Sequence, residues 1–198
     1  MKKNILKKTL LLSFFYIVIF GCQNATNKKD NDSHQNHSTE VSSSAKKAVS
    51  PHKYAMALVN DAHIHIDYSS PSVRGRIIFG GLLAYGEVWQ SGAHNATWLE
   101  TNKDLLLDGN LLKAGKYGFF TIPNKEKWTI ILNKNWEQHG KDDYDEEADV
   151  LRFEVLPEIS EDITEQLVYR VQRTSNEAGT ISLSWEKITV SFPFSIAN

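Results

Sequence analysis

Beyond residue 50, hydrophobic and polar residues alternate in short runs, and turn residues separate one run from the next. In residues 62–68 every second position is apolar, so a strand there would bury one face and expose the other. No long stretch keeps a helical period. The predicted strands cover residues 62–68, 76–79, 96–101, 117–122, 128–132, 150–155, 167–172, 181–185 and 188–194, with a hairpin over 105–112. The pattern is typical of an antiparallel sandwich or barrel, and it predicts an all-β domain, an antiparallel β-sandwich of about ten strands.

Turn residues add detail to this prediction. Asp108-Gly109 supplies the positive φ that a tight hairpin turn requires. Two polar segments, residues 91–95 and 135–148, read as loops between strands. Because binding side chains often lie on loops that a rigid scaffold carries, these two loops are the first places to look for a site.

The N-terminal residues have the layout of a secretory signal. Four lysines precede an apolar run at residues 10–20, which is shorter than the ~20 residues of a membrane-spanning helix. The run ends at Gly21-Cys22, and residues 19–22 resemble a bacterial lipobox, although Phe20 is bulky for its position. We therefore predict a lipoprotein signal peptide at residues 1–21 and lipidation at Cys22; an uncleaved anchor or a plain signal peptide is the alternative. Several acyl chains together anchor a protein stably.

Residues 23–50 are polar and hold almost no large apolar residue. Such a segment cannot bury enough surface to offset its ordering entropy, so we predict a flexible linker at residues 22–50 and a folded domain at 51–198. His34 and His37 lie in the linker, where we expect a solvated tail rather than a metal site.

Charge and cysteine content narrow the functional classes. The net charge is −2, and without residues 1–21, which hold four lysines and no acid, 18 basic residues face 24 acidic ones, which gives −6. This balance argues against nucleic acid as a partner. Cys22 is the single cysteine, so neither an internal disulfide nor a cysteine zinc cluster can form.

Several short phrases in one order resemble a known family. They are residues 68–76 (YSSPSVRGR), 78–80 (IFG), Tyr85-Gly86 with Trp89, 92–97 (GAHNAT), 114–117 (AGKY), 181–185 (ISLSW) and 190–192 (VSF). Together they are similar to the domain of unknown function 2911 family, which consists of secreted or lipid-anchored bacterial envelope proteins. The resemblance covers about residues 50–195 and implies fold and compartment rather than chemistry. Many members have Arg where this chain has Gln90, and Asn-Glu where it has His94-Asn95. Some relatives carry an asparagine-synthetase label, which neither an amidotransferase cysteine nor a phosphate-binding glycine loop supports here.

The glycine-rich segment of residues 68–97 holds the main candidate ligand-binding residues. Arg74 and Arg76 would share one face of a strand, and a guanidinium grips a carboxylate or phosphate with two hydrogen bonds. Alternatively, they pair with internal acids or stack on aromatic rings. His94 is a possible metal ligand or general base, or a loop histidine bonded to backbone. Glycines between these residues permit sharp turns, so we predict convergence on one site of Arg74, Arg76, Trp89, His94 and Asn95.

The second polar loop adds His139 and Tyr144 to the candidates. If the two loops meet at one end of the sandwich, they would form a polar pocket with Trp89 and Trp136 as walls. A separate, weaker candidate is His63-x-His65-x-Asp67, three possible metal ligands on one strand face, although a solvent-facing strand shows polar residues at the same period.

The leading functional hypothesis is an envelope lipoprotein that binds a small polar or glycan-like ligand, or an envelope protein, beside Arg74, Arg76 and His94. We expect no cofactor, no catalytic residue and no nucleic acid partner, and a location at the outer membrane facing the periplasm. The alternatives are a metal-dependent envelope hydrolase that uses His94 and neighbouring loop residues, and a purely structural envelope factor.

Overall fold

The computed structural model of the chain describes residues 49–197. The predicted signal peptide, Cys22, His34 and His37, most of the predicted linker and Asn198 lie outside the described residues. Within the described range, no helix is long and apolar enough to cross a membrane.

Ten antiparallel strands form two sheets, which confirms the predicted all-β sandwich. The strands are β1 (His52–Val59), β2 (Ala62–Ser69), β3 (Trp98–Thr101), β4 (Leu105–Leu107), β5 (Asn110–Leu112), β6 (Gly115–Ile122), β7 (Trp128–Asn133), β8 (Asp149–Val155), β9 (Glu158–Arg173) and β10 (Ala178–Ile196). The larger sheet has the order β1-β2-β3-β6-β7-β8, and the smaller has the order β5-β4-β10-β9. A 3₁₀ turn, Glu146–Ala148, precedes β8.

The core lies between the sheets and follows the alternation of the strands. In β2, the side chains of Ala62, Ile64, Ile66 and Tyr68 are buried while the intervening ones face outward. The predicted hairpin is also confirmed, because Leu107 pairs with Asn110 across a two-residue turn. Both turn residues have positive φ, 47° at Asp108 and 80° at Gly109, as a type I′ turn requires.

Strand β10 changes its inward-facing positions halfway along its length. Ile181, Leu183 and Trp185 are buried at odd positions, whereas from Val190 onward the buried residues are even-numbered. Between these halves, the pairing with β9 shifts register on both sides of Glu186, whose φ is 56°. This β-bulge lets one long strand bury a single continuous face despite the change of phase in its sequence.

Two local predictions were wrong. Residues 52–59 form β1, which the sequence analysis did not separate as a strand, because its inward positions are mostly small or polar side chains. Residues 76–79 form no strand, since the chain turns at Arg74-Gly75, both at positive φ, and Ile78 and Phe79 are buried by turning into the core rather than by pairing.

The whole connection between the neighbouring strands β2 and β3 is instead a long structured loop that contacts both sheets. Near its start, the Leu167 and Val73 backbone N–H groups bond Pro71 O and Glu165 O, which ties the loop to β9. Near its end, the Trp89 and Thr121 backbones exchange two hydrogen bonds of 2.8 and 2.9 Å, which ties the loop to β6. The loop therefore carries the candidate residues along one margin of the sandwich.

Candidate functional site

The two polar loops, residues 91–95 and 135–148, meet. Their meeting was the condition for the polar pocket that the sequence predicts. The Gly140 N–H donates to the His94 carbonyl at 2.7 Å, and the Ala96 N–H donates to the Gln138 carbonyl at 3.0 Å. Asn95 and His139 form an antiparallel bridge between these bonds. Backbone pairing on both sides of Asn95 fixes the position of the two loops relative to each other.

Buried polar groups hold the first loop on the sandwich. The Ser91 carbonyl accepts hydrogen bonds from the Thr97 hydroxyl at 3.0 Å and from the Tyr169 hydroxyl at 2.8 Å. The Ser91 hydroxyl donates in turn to Thr121 Oγ1 at 3.0 Å. Burial raises the pKa of Tyr169 well above its usual value, so its hydroxyl remains a donor across the physiological pH range. Gly92 is required there, since a Cβ would lie 2.7 Å from Thr97 Oγ1.

His94 itself has a backbone conformation that L-residues seldom adopt. Its φ is 62°, and Ser91 nearby has a φ of 55°. Left-handed non-glycine residues cost on the order of 1 kcal/mol or more and persist where the surrounding structure holds them. The effect is to leave the His94 imidazole exposed at the junction of the two loops, where it lines clefts on both sides.

On one side of His94 lies a cleft of about 400 Å³, here called the aromatic cleft. It is lined by His52, Asp67, Tyr68, Ser69, His94, Asn95, Ala96, Trp98, Trp136, Glu137, Gln138 and His139. The strand ends of the larger sheet thus supply one wall, and the two meeting loops supply the other.

The two tryptophans of the aromatic cleft belong to a stacked row across the outer face of the larger sheet. The Lys116 ammonium lies 3.5 Å from the Trp98 ring centre and 3.7 Å from that of Trp136. The Trp98 ring also stacks on His65, with ring centres 5.1 Å apart at 15°. Tyr54 continues the row at 5.7 Å from His65. These contacts within the protein fix the orientation of both tryptophans.

The polar side chains of the aromatic cleft differ in their hydrogen bonding. His52 Nε2 bonds the Asp67 carboxylate at 2.8 Å, and His139 Nδ1 lies 3.3 Å from the Asp142 carboxylate. Within residues 49–197, the side chains of His94 and Asn95 make no hydrogen bond to protein. Their donors and acceptors are therefore available to a bound molecule.

On the other side of His94 lies a cleft of about 360 Å³, here called the arginine cleft. Arg74, Arg76 and Gln90 line it together with His94, while Trp89 and Trp185 form its buried base. Arg76 donates from Nε to the Val73 carbonyl at 3.0 Å and from Nη2 to the Ser72 carbonyl at 2.7 Å. Arg74 donates from Nη2 to the Val49 carbonyl at 3.1 Å. Within residues 49–197, the two arginines neither pair with an acidic side chain nor stack on an aromatic ring, so the alternative interpretation given above does not account for them.

The structure thus divides the predicted convergence between two clefts. Arg74, Arg76 and Trp89 line the arginine cleft, Asn95 and His139 line the aromatic cleft, and His94 lines both. Trp136 is a wall of the aromatic cleft, as expected if the loops met, but Trp89 is buried below the other cleft.

Tyr144 lines neither cleft. Its ring packs on Phe120, with ring centres 5.0 Å apart, and its hydroxyl donates to Asp149 Oδ2 at 2.9 Å. Burial raises the pKa of Tyr144 above its usual value, and the hydrogen bond to Asp149 and the charge of that carboxylate add to the effect. This tyrosine holds the second loop against the sheet rather than facing a ligand.

The strand-borne histidines share a face, but they have other partners. His63, His65 and Asp67 all face outward from β2. The His65 ring is stacked on Trp98, and Asp67 bonds His52. Within the described part of the chain, no group of three or more His, Cys, Asp or Glu side chains is arranged to hold a metal ion. This geometry gives no support to the metal-dependent alternative.

Sequence reasoning missed Trp98, His52 and Trp185 as lining residues. Trp98 lies between the inward residues Thr97 and Leu99, so its position in the alternation already indicated an outward-facing aromatic. No comparable signal existed for Trp185, which lies on the buried face of its strand.

Fold and site together define a β-sandwich protein with two clefts built largely from loops, which meet at His94. The family model described as "Protein of unknown function (DUF2911)" matches residues 50–194, so the chain belongs to this family. Neither the curated proteins nor the solved structures contain a match to the chain.

Proposed function

We propose that this chain is an envelope lipoprotein whose β-sandwich domain binds a small polar or glycan-like ligand in the aromatic cleft. The observation that carries the proposal is the combination, at one place, of two pre-oriented tryptophans and the unpaired polar side chains of His94 and Asn95. Ligand sites typically combine apolar walls with a few placed polar groups, and a sugar presents both a C–H face and hydroxyls.

The rigidity of the cleft favours binding over a purely structural role. The Lys116 ammonium lies between Trp98 and Trp136 and makes a cation–π contact with each ring. Backbone hydrogen bonds hold the two loops together. A site ordered before binding loses less entropy when a ligand enters. At about 400 Å³, the cleft is at the small end of ligand pockets, so we expect a short saccharide or similar compound rather than a long chain.

The proposed location rests on the sequence. The lysine-rich start, the apolar run and Gly21-Cys22 support lipidation at Cys22 and anchoring to a bacterial membrane. The membrane that we propose is the outer one, with the domain facing the periplasm. Replacing Cys22 with Ser should release the protein from the membrane fraction. Retention of the variant in that fraction, with no acyl mass on the wild-type protein, would refute the anchor.

The binding proposal is tested with neutral sugars. N-acetylglucosamine, its β-1,4 dimer and maltose are titrated into the domain and followed by saturation-transfer NMR and calorimetry. We expect at least one of them to bind, and Trp136→Ala to weaken that binding about tenfold or more, since it removes an aromatic wall.

Tyr54→Ala is the matched control, because Tyr54 belongs to the same aromatic row but does not line the cleft. It should leave affinity nearly unchanged. Saturable binding that Trp136→Ala does not alter would place the ligand elsewhere, and no binding by any of the three sugars would remove the glycan part of the proposal.

A further inference from the structure

The arginine cleft contains two cations that no carboxylate neutralises within residues 49–197. None of the ion pairs in this part of the chain involves Arg74 or Arg76, although the chain is acidic overall. Glu165 is close by, but its carboxylate accepts from the Arg74 backbone N–H at 2.9 Å rather than from the guanidinium.

Backbone carbonyls orient the guanidinium groups without using all their donors. A guanidinium has five N–H groups. Among the described residues, Arg76 donates only to Val73 O and Ser72 O, and Arg74 donates from its guanidinium only to Val49 O. The remaining N–H groups can form the paired, charge-assisted bonds that oxyanions accept. The mouth of this cleft is therefore pre-oriented for an anion.

The base of the same cleft contains a buried donor with no partner. Trp185 is 1% exposed, and its Nε1 makes no hydrogen bond within the described chain. Its stacked neighbour Trp89 differs, because Trp89 Nε1 donates to the Gly92 carbonyl at 3.1 Å. Buried donors are nearly always satisfied in folded proteins, so an unpaired one beside a cleft points to an acceptor that enters from that cleft.

We propose that the arginine cleft is an anion-binding site for a small carboxylate or phosphate compound. Arg74 and Arg76 hold the oxyanion, and an oxygen of the bound compound accepts the hydrogen bond of Trp185 Nε1. The compact volume and the half-buried apolar neighbour Leu83 favour a small molecule over a polymer. This site is separate from the aromatic cleft, and the two share only His94.

The test uses the indole N–H signals of the five tryptophans in ¹⁵N-labelled protein, with Trp185→Phe identifying the Trp185 signal. Inorganic phosphate and acetate are titrated separately at constant pH and ionic strength, with chloride as the reference anion. We expect the Trp185 signal to move and saturate with at least one oxyanion, and Arg74→Gln and Arg76→Gln each to weaken binding about tenfold or more.

Arg170→Gln is the matched control, since Arg170 is an exposed arginine on β9 that does not line the cleft. Saturation by phosphate alone or by acetate alone supports the site and identifies the class of anion. A response that never saturates, or that Arg170→Gln weakens as much as the cleft variants do, overturns it. If a glutamine variant does not fold, Arg76→Lys, which keeps the charge but loses the fork, should still weaken binding.

Trp136→Ala separates this proposal from the previous one. It should weaken sugar binding about tenfold or more while leaving the anion titration unchanged. Loss of both responses in that variant would show one joined site and overturn the division into two.

Discussion

The five tryptophans form two groups with contrasting environments. Trp89, Trp128 and Trp185 lie inside the sandwich around Phe79, which is 4.8 Å from Trp128 and about 6 Å from the other two, measured between ring centres. Trp98 and Trp136 lie on the outer face, half-buried, with Lys116 between them. The inner group fills space between the sheets, whereas the outer group leaves aromatic surface beside a cleft.

This contrast shows that aromatic residues in one small domain can have separable roles. The inner rings have aromatic neighbours at edge and face, which is how a close-packed core gains dispersion energy. The outer rings depend on a cation and a histidine for their orientation, which is a weaker arrangement but an accessible one. Trp185 differs from the other inner rings because its buried N–H has no hydrogen-bond partner within residues 49–197, and we propose that a bound anion supplies that partner.

The largest expected effect is loss of an inner ring. Trp128→Ala should destabilise the domain by about 3–5 kcal/mol, since the ring is fully buried and its removal leaves a cavity. Trp136→Ala should cost less than about 1 kcal/mol. Urea denaturation of both variants measures the difference, and equal losses would erase the distinction between the two groups.

The next effect is a fall in stability at high pH. Burial raises the pKa of Tyr169 in the folded state. The contribution of the protonated Tyr169 hydroxyl to the free energy of unfolding is therefore intact below the pKa of tyrosine in the unfolded chain, about 10, and is lost as the pH rises through the pKa of Tyr169 in the folded state. Between these two pKa values, one tyrosine lowers the free energy of unfolding by at most about 1.4 kcal/mol per pH unit. Urea midpoints measured across this range should decline in the wild type and decline less in Tyr169→Phe. Equal slopes for the two proteins would show that Tyr169 does not cause the loss of stability at high pH.

At neutral pH, Tyr169→Phe tests the bond between the core and the 91–97 loop. It removes the hydroxyl donor to the Ser91 carbonyl, which keeps its bond from Thr97. We expect a loss of about 0.5–1.5 kcal/mol, together with faster hydrogen exchange in residues 91–97. Unchanged exchange in this loop would show that the remaining bonds hold it alone.

The smallest stability effect is expected in the outer row. Lys116→Met keeps much of the side-chain volume but removes the cation from between Trp98 and Trp136, so we expect a loss of about 0.5–1 kcal/mol. Sugar affinity should fall as well, because the two rings lose their fixed orientation. Lys187→Met, at an exposed position, is the control. Equal effects of the two variants would show that the cation–π contacts do not orient the rings.

Much of the fold followed from local pattern. Alternation in residues 62–68 indicated which side chains of β2 are buried, and Asp108-Gly109 indicated a tight hairpin. These features depend on residues that are adjacent in sequence, so the period of two and the turn chemistry were sufficient. The stretch at residues 76–79 shows the limit of this reasoning, because its apolar residues are buried by a turning backbone that local propensity does not reveal.

The sequence by itself therefore determined the all-β class, the strand phases, the main hairpin and the two loops that carry the candidate residues. Only the tertiary structure decided that Gly140 bonds His94, that His94 separates two clefts, and that Trp98 rather than Trp89 faces the aromatic one. Those outcomes depend on contacts between segments that are distant in the sequence, such as the loops that contain His94 and Gly140. They also depend on which of several possible donors and acceptors meet once the sheets have packed. A strand's own alternation specifies its faces, but it contains no information about which distant loop will close over its end.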